Sequence, residues 1–157
     1  MRRSDREIKD MTEIIRVMKQ CDVCRLAFFD EEYPYMVPLN FGMQVDGDQI
    51  TLYFHGARDG KKYDLMAKNN KVCFEMDCSH ELLTLEDEKN CTMNYESVIG
   101  FGTLEMVADE DKYAALCKLM EHYHVEHFEF NKAVIPATNV FQLKVLKLTG
   151  KTRKKLG

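Results

Sequence analysis

Apolar and polar residues alternate with a period of two through Ile50, Thr51, Leu52, Tyr53, Phe54 and His55, and again from Val72 to Asp77. Successive side chains of an extended chain point to opposite faces, so each run predicts a strand with one apolar and one polar face. Strand character also marks Val23 to Phe29, Tyr35 to Met43, Tyr95 to Val107 and Val140 to Leu148. Asp46, Gly47 and Asp48 supply a tight hairpin turn, and Asp30, Glu31 and Glu32 a second turn. Gly100 and Gly102, inside a strand, predict a bulge or a barrel bend.

A helical period replaces the alternation in three places. Met11, Ile14, Ile15 and Met18 form an apolar stripe behind Asp10-x-x-Glu13, a capping-box pattern. A short helix is expected over Tyr63 to Lys68. Asp109 to Tyr123 forms another, with Tyr113, Leu116, Cys117 and Met120 on one face and acidic residues in its first turn. Cys78 to Asn94 carries few signals and many charges, and reads as a long loop or as a short helix around Leu82 to Leu85. Strands that follow one another in sequence, with helices at the start, at one connection and near the end, predict an α+β fold. Its form is a small, mostly antiparallel β-barrel with flanking helices, a single domain over residues 1–157 without an internal repeat.

Charge and composition narrow the function. A net charge of −4 leaves no broad basic excess to displace counterions from a nucleic acid. No run reaches the roughly 18 apolar residues of a membrane span, and the N-terminus has no apolar signal core, so a cytoplasmic protein is expected. Six cysteines without such a signal are expected as thiols, and Cys21-x-x-Cys24 has no second pair to complete a zinc site. His122, His124 and His127 lack a carboxylate pattern around them and are expected at a helix end, so no metal site is assigned. The basic tail from Lys151 to Lys155 reads as a solvated terminus.

The candidate chemistry lies after the third strand. His55, Gly56 and Ala57 open a small-residue loop that runs to Gly60, and Lys61 and Lys62 stand where a helix begins. A helix N-terminus is already partly positive, so two lysines there are unfavourable unless an anion joins them or both point into water. Free backbone N–H groups, a glycine that permits close approach and two ammonium groups make a phosphate cradle one reading of the motif.

The segments MRRSDREI, VCRLAFF, YPYMVPLNFG, LYFHGARDGKK, KVCFEMD, YESVIGFGTLE and LKLTGK, in this order, resemble the nitroimidazole-resistance-type flavoproteins. These belong to the pyridoxamine 5′-phosphate oxidase-like superfamily, whose fold is an FMN-binding split β-barrel. The resemblance implies a homodimer with FMN in grooves at the dimer interface. Pro38, Leu39, Asn40 and Phe41 would run along the flavin ring, with Asn40 the best polar contact. Phe54, His55, Gly56 and Ala57 would line the ribityl and phosphate path, and Lys61 and Lys62 would hold the phosphate. Tyr95 and Ser97 would lie near the flavin, and His55 is the candidate catalytic group. The chain has no Trp and ends TGKTRKKLG, which argues against pyridoxamine phosphate oxidation itself. The expected activity is electron transfer from NAD(P)H through FMN to a small acceptor such as a nitroaromatic. The alternative is a carrier of FMN, heme or a deazaflavin without turnover.

Overall fold

The computed structural model describes residues 3–86 and 89–154. In chain order the elements are β1 (Glu7–Ile8), α1 (Met11–Gln20), β2 (Cys24–Phe28), β3 (Tyr35–Leu39), β4 (Gly42–Asp46), β5 (Gln49–Gly56), α2 (Lys61–Lys68), β6 (Lys71–Leu85), β7 (Asn90–Met106), α3 (Lys112–His122) and β8 (Asn139–Arg153). One open antiparallel sheet orders its strands β3-β2-β6-β7-β8-β5-β4, with β1 added to β8. The fold is the α+β split barrel expected from the sequence.

Its interior follows from the alternation. Ile50, Leu52 and Phe54 of β5 are buried, as are Val72, Phe74 and Met76 of β6, and they pack with Leu26, Phe28, Val98, Phe141 and Leu143. Gly100 and Gly102 sit where neighbouring atoms approach the strand closely. A Cβ at Gly100 would run into the Phe74 ring, and one at Gly102 into the Lys144 carbonyl oxygen. The β7–β8 register shifts at this point, leaving Leu146 as an extra residue on β8.

α1 begins as its cap pattern requires, with the Asp10 carboxylate accepting from Thr12 N at 2.9 Å. The reciprocal half of the box is absent, because Glu13 pairs with Arg16 instead. Ile14, Val17 and Met18 are buried, whereas Met11 is exposed. α3 starts later than expected and presents a different face. Lys112, Ala115, Leu116 and Leu119 are buried and Tyr113 is exposed. The reason is proximity: a Cβ at Gly42 would meet the Leu119 backbone, so α3 lies against β4 at a point where only glycine fits.

Three sequence expectations are corrected. Tyr35 to Met43 is not one strand: β3 pairs with β2 while β4 pairs with β5, and the chain changes partner at Asn40 and Phe41. Cys78 to Asn94 is neither loop nor helix. Its described part continues β6 and β7 as a long hairpin, with a bulge between Cys78 and Glu81 where Ser79 takes φ +59°. Asp87 and Glu88 lie outside the described residues. Finally, the basic tail is not a free terminus as far as Arg153, because Lys151 and Arg153 extend β8 against β7. Lys155 lies outside the described residues.

Candidate functional site

The loop after β5 carries Gly56 across from Asn139 at the start of β8, and α2 opens at Lys61 behind Gly60. Gly60 has φ +148°, a conformation suited to glycine. Among the described residues, no acceptor meets the backbone N–H groups of Ala57, Arg58, Asp59 or Gly60. The first N–H groups of α2 lack intrahelical partners by the geometry of any helix. The loop and the start of α2 thus leave backbone donors without an acceptor close to Gly56 in sequence, while Tyr63 N donates to Gly60 O at 2.9 Å.

The two lysines divide their work. Lys61 Nζ pairs with Asp30 Oδ2 at 2.5 Å and lies 5.1 Å from the centre of the Tyr35 ring. Hydrogen bonding to Asp30 raises the Lys61 ammonium above its ordinary pKa, and Lys61 lowers that of Asp30. Lys62 has no carboxylate partner among the described residues. Its Nζ lies over the Tyr63 ring at 4.4 Å, and a Cβ at Gly56 would come within 3.3 Å of it. Any side chain at position 56 would fill this space.

Beneath it, the Tyr63 hydroxyl is buried, and no partner meets it within hydrogen-bond geometry although the Asn139 amide lies near. Burial raises its pKa, with the nearby Asn139 amide acting in the opposite direction. Asn139 itself donates to Arg58 O at 2.8 Å. A buried hydroxyl left without a partner costs free energy, so its presence beside an uncompensated ammonium fits a site built for an anion. The residues present thus fit the phosphate of a flavin mononucleotide.

β3 leads away from this cradle. Its first residue, Tyr35, lies under Lys61, and Pro38 and Asn40 follow at about 10 and 17 Å along an extended strand. That run matches a ligand with a phosphate at one end and a flat ring at the other. The side chains of Phe41 and Phe54 are fully buried and Leu39 packs against the core, so these positions offer a ligand only backbone groups. Pro38 faces the other way, in a row with Arg25, Glu75 and Ile99. His55 is exposed on the face of β5 opposite Phe54.

Asn40 is engaged structurally. Its Nδ2 donates to Tyr123 Oη at 3.0 Å and to Asp22 O at 3.3 Å. Tyr123 Oη also accepts from Phe41 N and donates to Asp22 O at 2.6 Å. This network fixes the point where the chain leaves β3 for β4. Sequence reasoning did not single out Tyr123, and only its place after the α3 stripe hinted at a role. Beside it a concavity of about 870 Å³ opens between α1, the β6 bulge and the end of α3. His122 closes that end, with Nε2 at 2.8 Å from Cys21 O and its ring 4.1 Å from that of Phe41. The carbonyl only accepts, so Nε2 carries the proton.

Tyr95 and Ser97 do not join the cradle within one chain. They lie on β7 opposite Arg153 and Lys151. Part of the outer face between the two regions is apolar: Met36, Ala27, Cys73 and Phe101 form one row across four strands, and Met36, Ile99, Phe101 and Leu146 are exposed, whereas the neighbouring row carries the Arg25–Glu75 ion pair. A groove of about 440 Å³ runs beside Phe101 and Leu146.

Comparison with known proteins bears on the fold and the family. No curated protein matches the chain by sequence. Among solved structures, a candidate 5-nitroimidazole antibiotic resistance protein from Bacteroides thetaiotaomicron is 31% identical, with a TM-score of 0.81 over 93% of this chain and 86% of that one. A FAD- and heme-binding protein from Mycobacterium smegmatis is 17% identical, with a TM-score of 0.79 over 96% of this chain and 74% of that one. A FAD-binding protein from Mesorhizobium loti is 21% identical, with a TM-score of 0.68 over 95% and 98%. These last two share the fold. The family model for pyridoxamine 5′-phosphate oxidase matches residues 10–152, and the chain belongs to that family.

Proposed function

We propose that the protein binds FMN and works as an oxidoreductase, passing electrons from NAD(P)H to a small acceptor such as a nitroaromatic. The carrying observation is Lys62: an ammonium without a carboxylate among the described residues, set beside Gly56 and over the Tyr63 ring, at the start of a helix. Lys62 and the loop N–H groups hold the phosphate, and Lys61 stays with Asp30 at its edge. The backbone of Pro38 to Phe41 runs beside the ring, and the Tyr123 network keeps that backbone in place. Bound FMN supplies the hydride and electron chemistry, so no side chain needs to act as nucleophile. His55 is exposed at the mouth of the loop, where it contacts the substrate or moves a proton to it.

The exposed apolar rows on the outer face support a homodimer that covers them, because patches of this kind on a small chain mark interaction surfaces. Such a dimer excludes water from one face of the ring. Among the described residues no helix is long and apolar enough to cross a membrane, and a cytoplasmic location is part of this proposal.

Anaerobic addition of NADH or NADPH to the flavin-loaded protein, followed by a nitroaromatic, tests the activity. Bleaching by the reductant and recovery of colour with the acceptor are expected. A flavin that stays oxidised with both nucleotides would leave a carrier, the role that binding without turnover describes.

A further inference from the structure

The alternation that buries Cys24 and Leu26 of β2 turns Arg25 to the outer face of the sheet. There Arg25 lies between Pro38 on β3 and Glu75 on β6, its cross-strand partners. Its Nη1 donates to Glu75 Oε2 at 3.0 Å and to Asp77 Oδ1 at 2.5 Å. The second Asp77 oxygen, Oδ2, meets His80 Nε2 at 2.8 Å. One guanidinium thus joins two carboxylates that stand two residues apart on the same face of β6.

Arg25, Glu75 and Asp77 are all half-buried, and the row beside them, from Met36 through Ala27 and Cys73 to Phe101, is apolar. Ionic groups in such a place lose hydration that their pairing only partly returns, and apolar residues of similar volume would cost less. The cost shows at Glu75, whose pKa is raised by burial and by the Asp77 charge even though Arg25 pulls it down. Hydrogen bonding to Asp77 raises the Arg25 guanidinium above its ordinary value, so it stays charged. A cation fixed in this way by two acids points to a role other than stability.

Its position along β3 indicates that role. Tyr35 lies at Lys61, and Pro38 stands three residues further on, about 10 Å away along the strand. Arg25 neighbours Pro38, so its guanidinium lies beside the backbone that runs along the ring in the proposed function. Lys61 and Lys62 meet a phosphate whose charge is the same in both redox states. The ring end differs. A hydride carries two electrons and one proton, so its transfer from a reduced nicotinamide, which leaves oxidised, adds one negative charge to the ring. In the row of Pro38, Arg25, Glu75 and Ile99, Arg25 is the one cation.

We infer that Arg25, fixed by Glu75 and Asp77, faces the flavin ring, stabilises the negative charge that reduction adds to it, and so sets the reduction potential of the bound cofactor. This inference rests on the proposed FMN binding. The two carboxylates hold the guanidinium in place and moderate its field, because a charge near the ring tunes the chemistry that the cofactor supplies.

The test is the midpoint potential of FMN bound to the full-length protein, measured against a reference dye, with the affinity for oxidised FMN measured in parallel. Arg25→Gln is expected to weaken the reduced form of FMN at least tenfold more than the oxidised form, a shift of about 30 mV or more to negative potential for a two-electron couple. Arg25→Lys keeps the charge and should recover part of that shift. Asp77→Asn should move the potential the other way. Lys118→Gln removes a cation on α3, where that helix lies against β4, and should leave the potential unchanged. A purely structural Arg25 would lower both affinities alike and leave the parent potential, and that result overturns the inference, as does an equal shift in Lys118→Gln. If Arg25→Gln does not fold, Asp77→Asn decides, and no positive shift there overturns the inference. A parent protein that takes up no FMN would remove the flavin assignment itself, whereas FMN bound with a potential indifferent to Arg25 removes only the role given to Arg25.

Discussion

Lys61 is held by Asp30, whereas its neighbour Lys62 has no such partner and turns over Tyr63 toward Gly56. Adjacent lysines at one helix start are thus unequal. A charge-assisted hydrogen bond contributes about 1.5–3 kcal/mol, so Lys62→Ala is expected to weaken FMN binding roughly 10- to 100-fold. Lys61→Ala should cost only a few-fold. Asp30→Asn frees Lys61 and should tighten binding. A flavin-fluorescence titration reads all three, and riboflavin, which lacks the phosphate, should bind every variant alike. Equal losses at Lys61 and Lys62 would contradict the division.

Tyr123 gathers Asn40, Phe41 and Asp22 on one hydroxyl. Tyr123→Phe keeps the ring and removes that oxygen, and should cost about 1–3 kcal/mol in stability. Because the Pro38 to Phe41 backbone then loses its anchor, flavin affinity should fall as well. Chemical denaturation and flavin titration check the two effects, and a variant that loses stability alone would separate this network from the site.

The strand pattern was legible because alternation in β5 and β6 reports a buried face directly. The hairpin arms beyond Cys78 were not, since their residues leave the core and need no apolar face. The split of Tyr35 to Met43 was hidden for another reason: both halves are extended, and only the partner strands differ. At the site, the glycines and lysines were visible in sequence, but the capture of Lys61 by Asp30 joins residues on different elements and needed the fold. The helix face of α3 was misread because Lys112 buries its stem while Tyr113 stays outside.

Gly102→Ala places a methyl against the Lys144 carbonyl oxygen, and backbone cannot move aside as a flexible side chain can. A loss of about 2–3 kcal/mol is expected. Gly47→Ala, with open space around it, should lose less and only through its φ of +56°. Thermal melts of the two variants order these costs.

Burial lowers the pKa of His122 below the usual histidine value, partly offset by its bond to Cys21 O. The folded protein therefore binds this proton less readily than the unfolded chain. The stability that His122 contributes is present above the unfolded value and is lost as pH falls through the folded one. Denaturation midpoints across this acid window should decline less steeply in His122→Gln than in the parent. A parent curve that stays flat there would contradict the assignment.

A flavin phosphate held beside Gly56 is the assignment on which the proposed function rests. Its most direct test is the visible absorption spectrum of freshly purified protein, with the released cofactor identified by chromatography. Flavin bands, FMN on release and about one flavin per chain are expected. A colourless protein that also takes up no added FMN would contradict it.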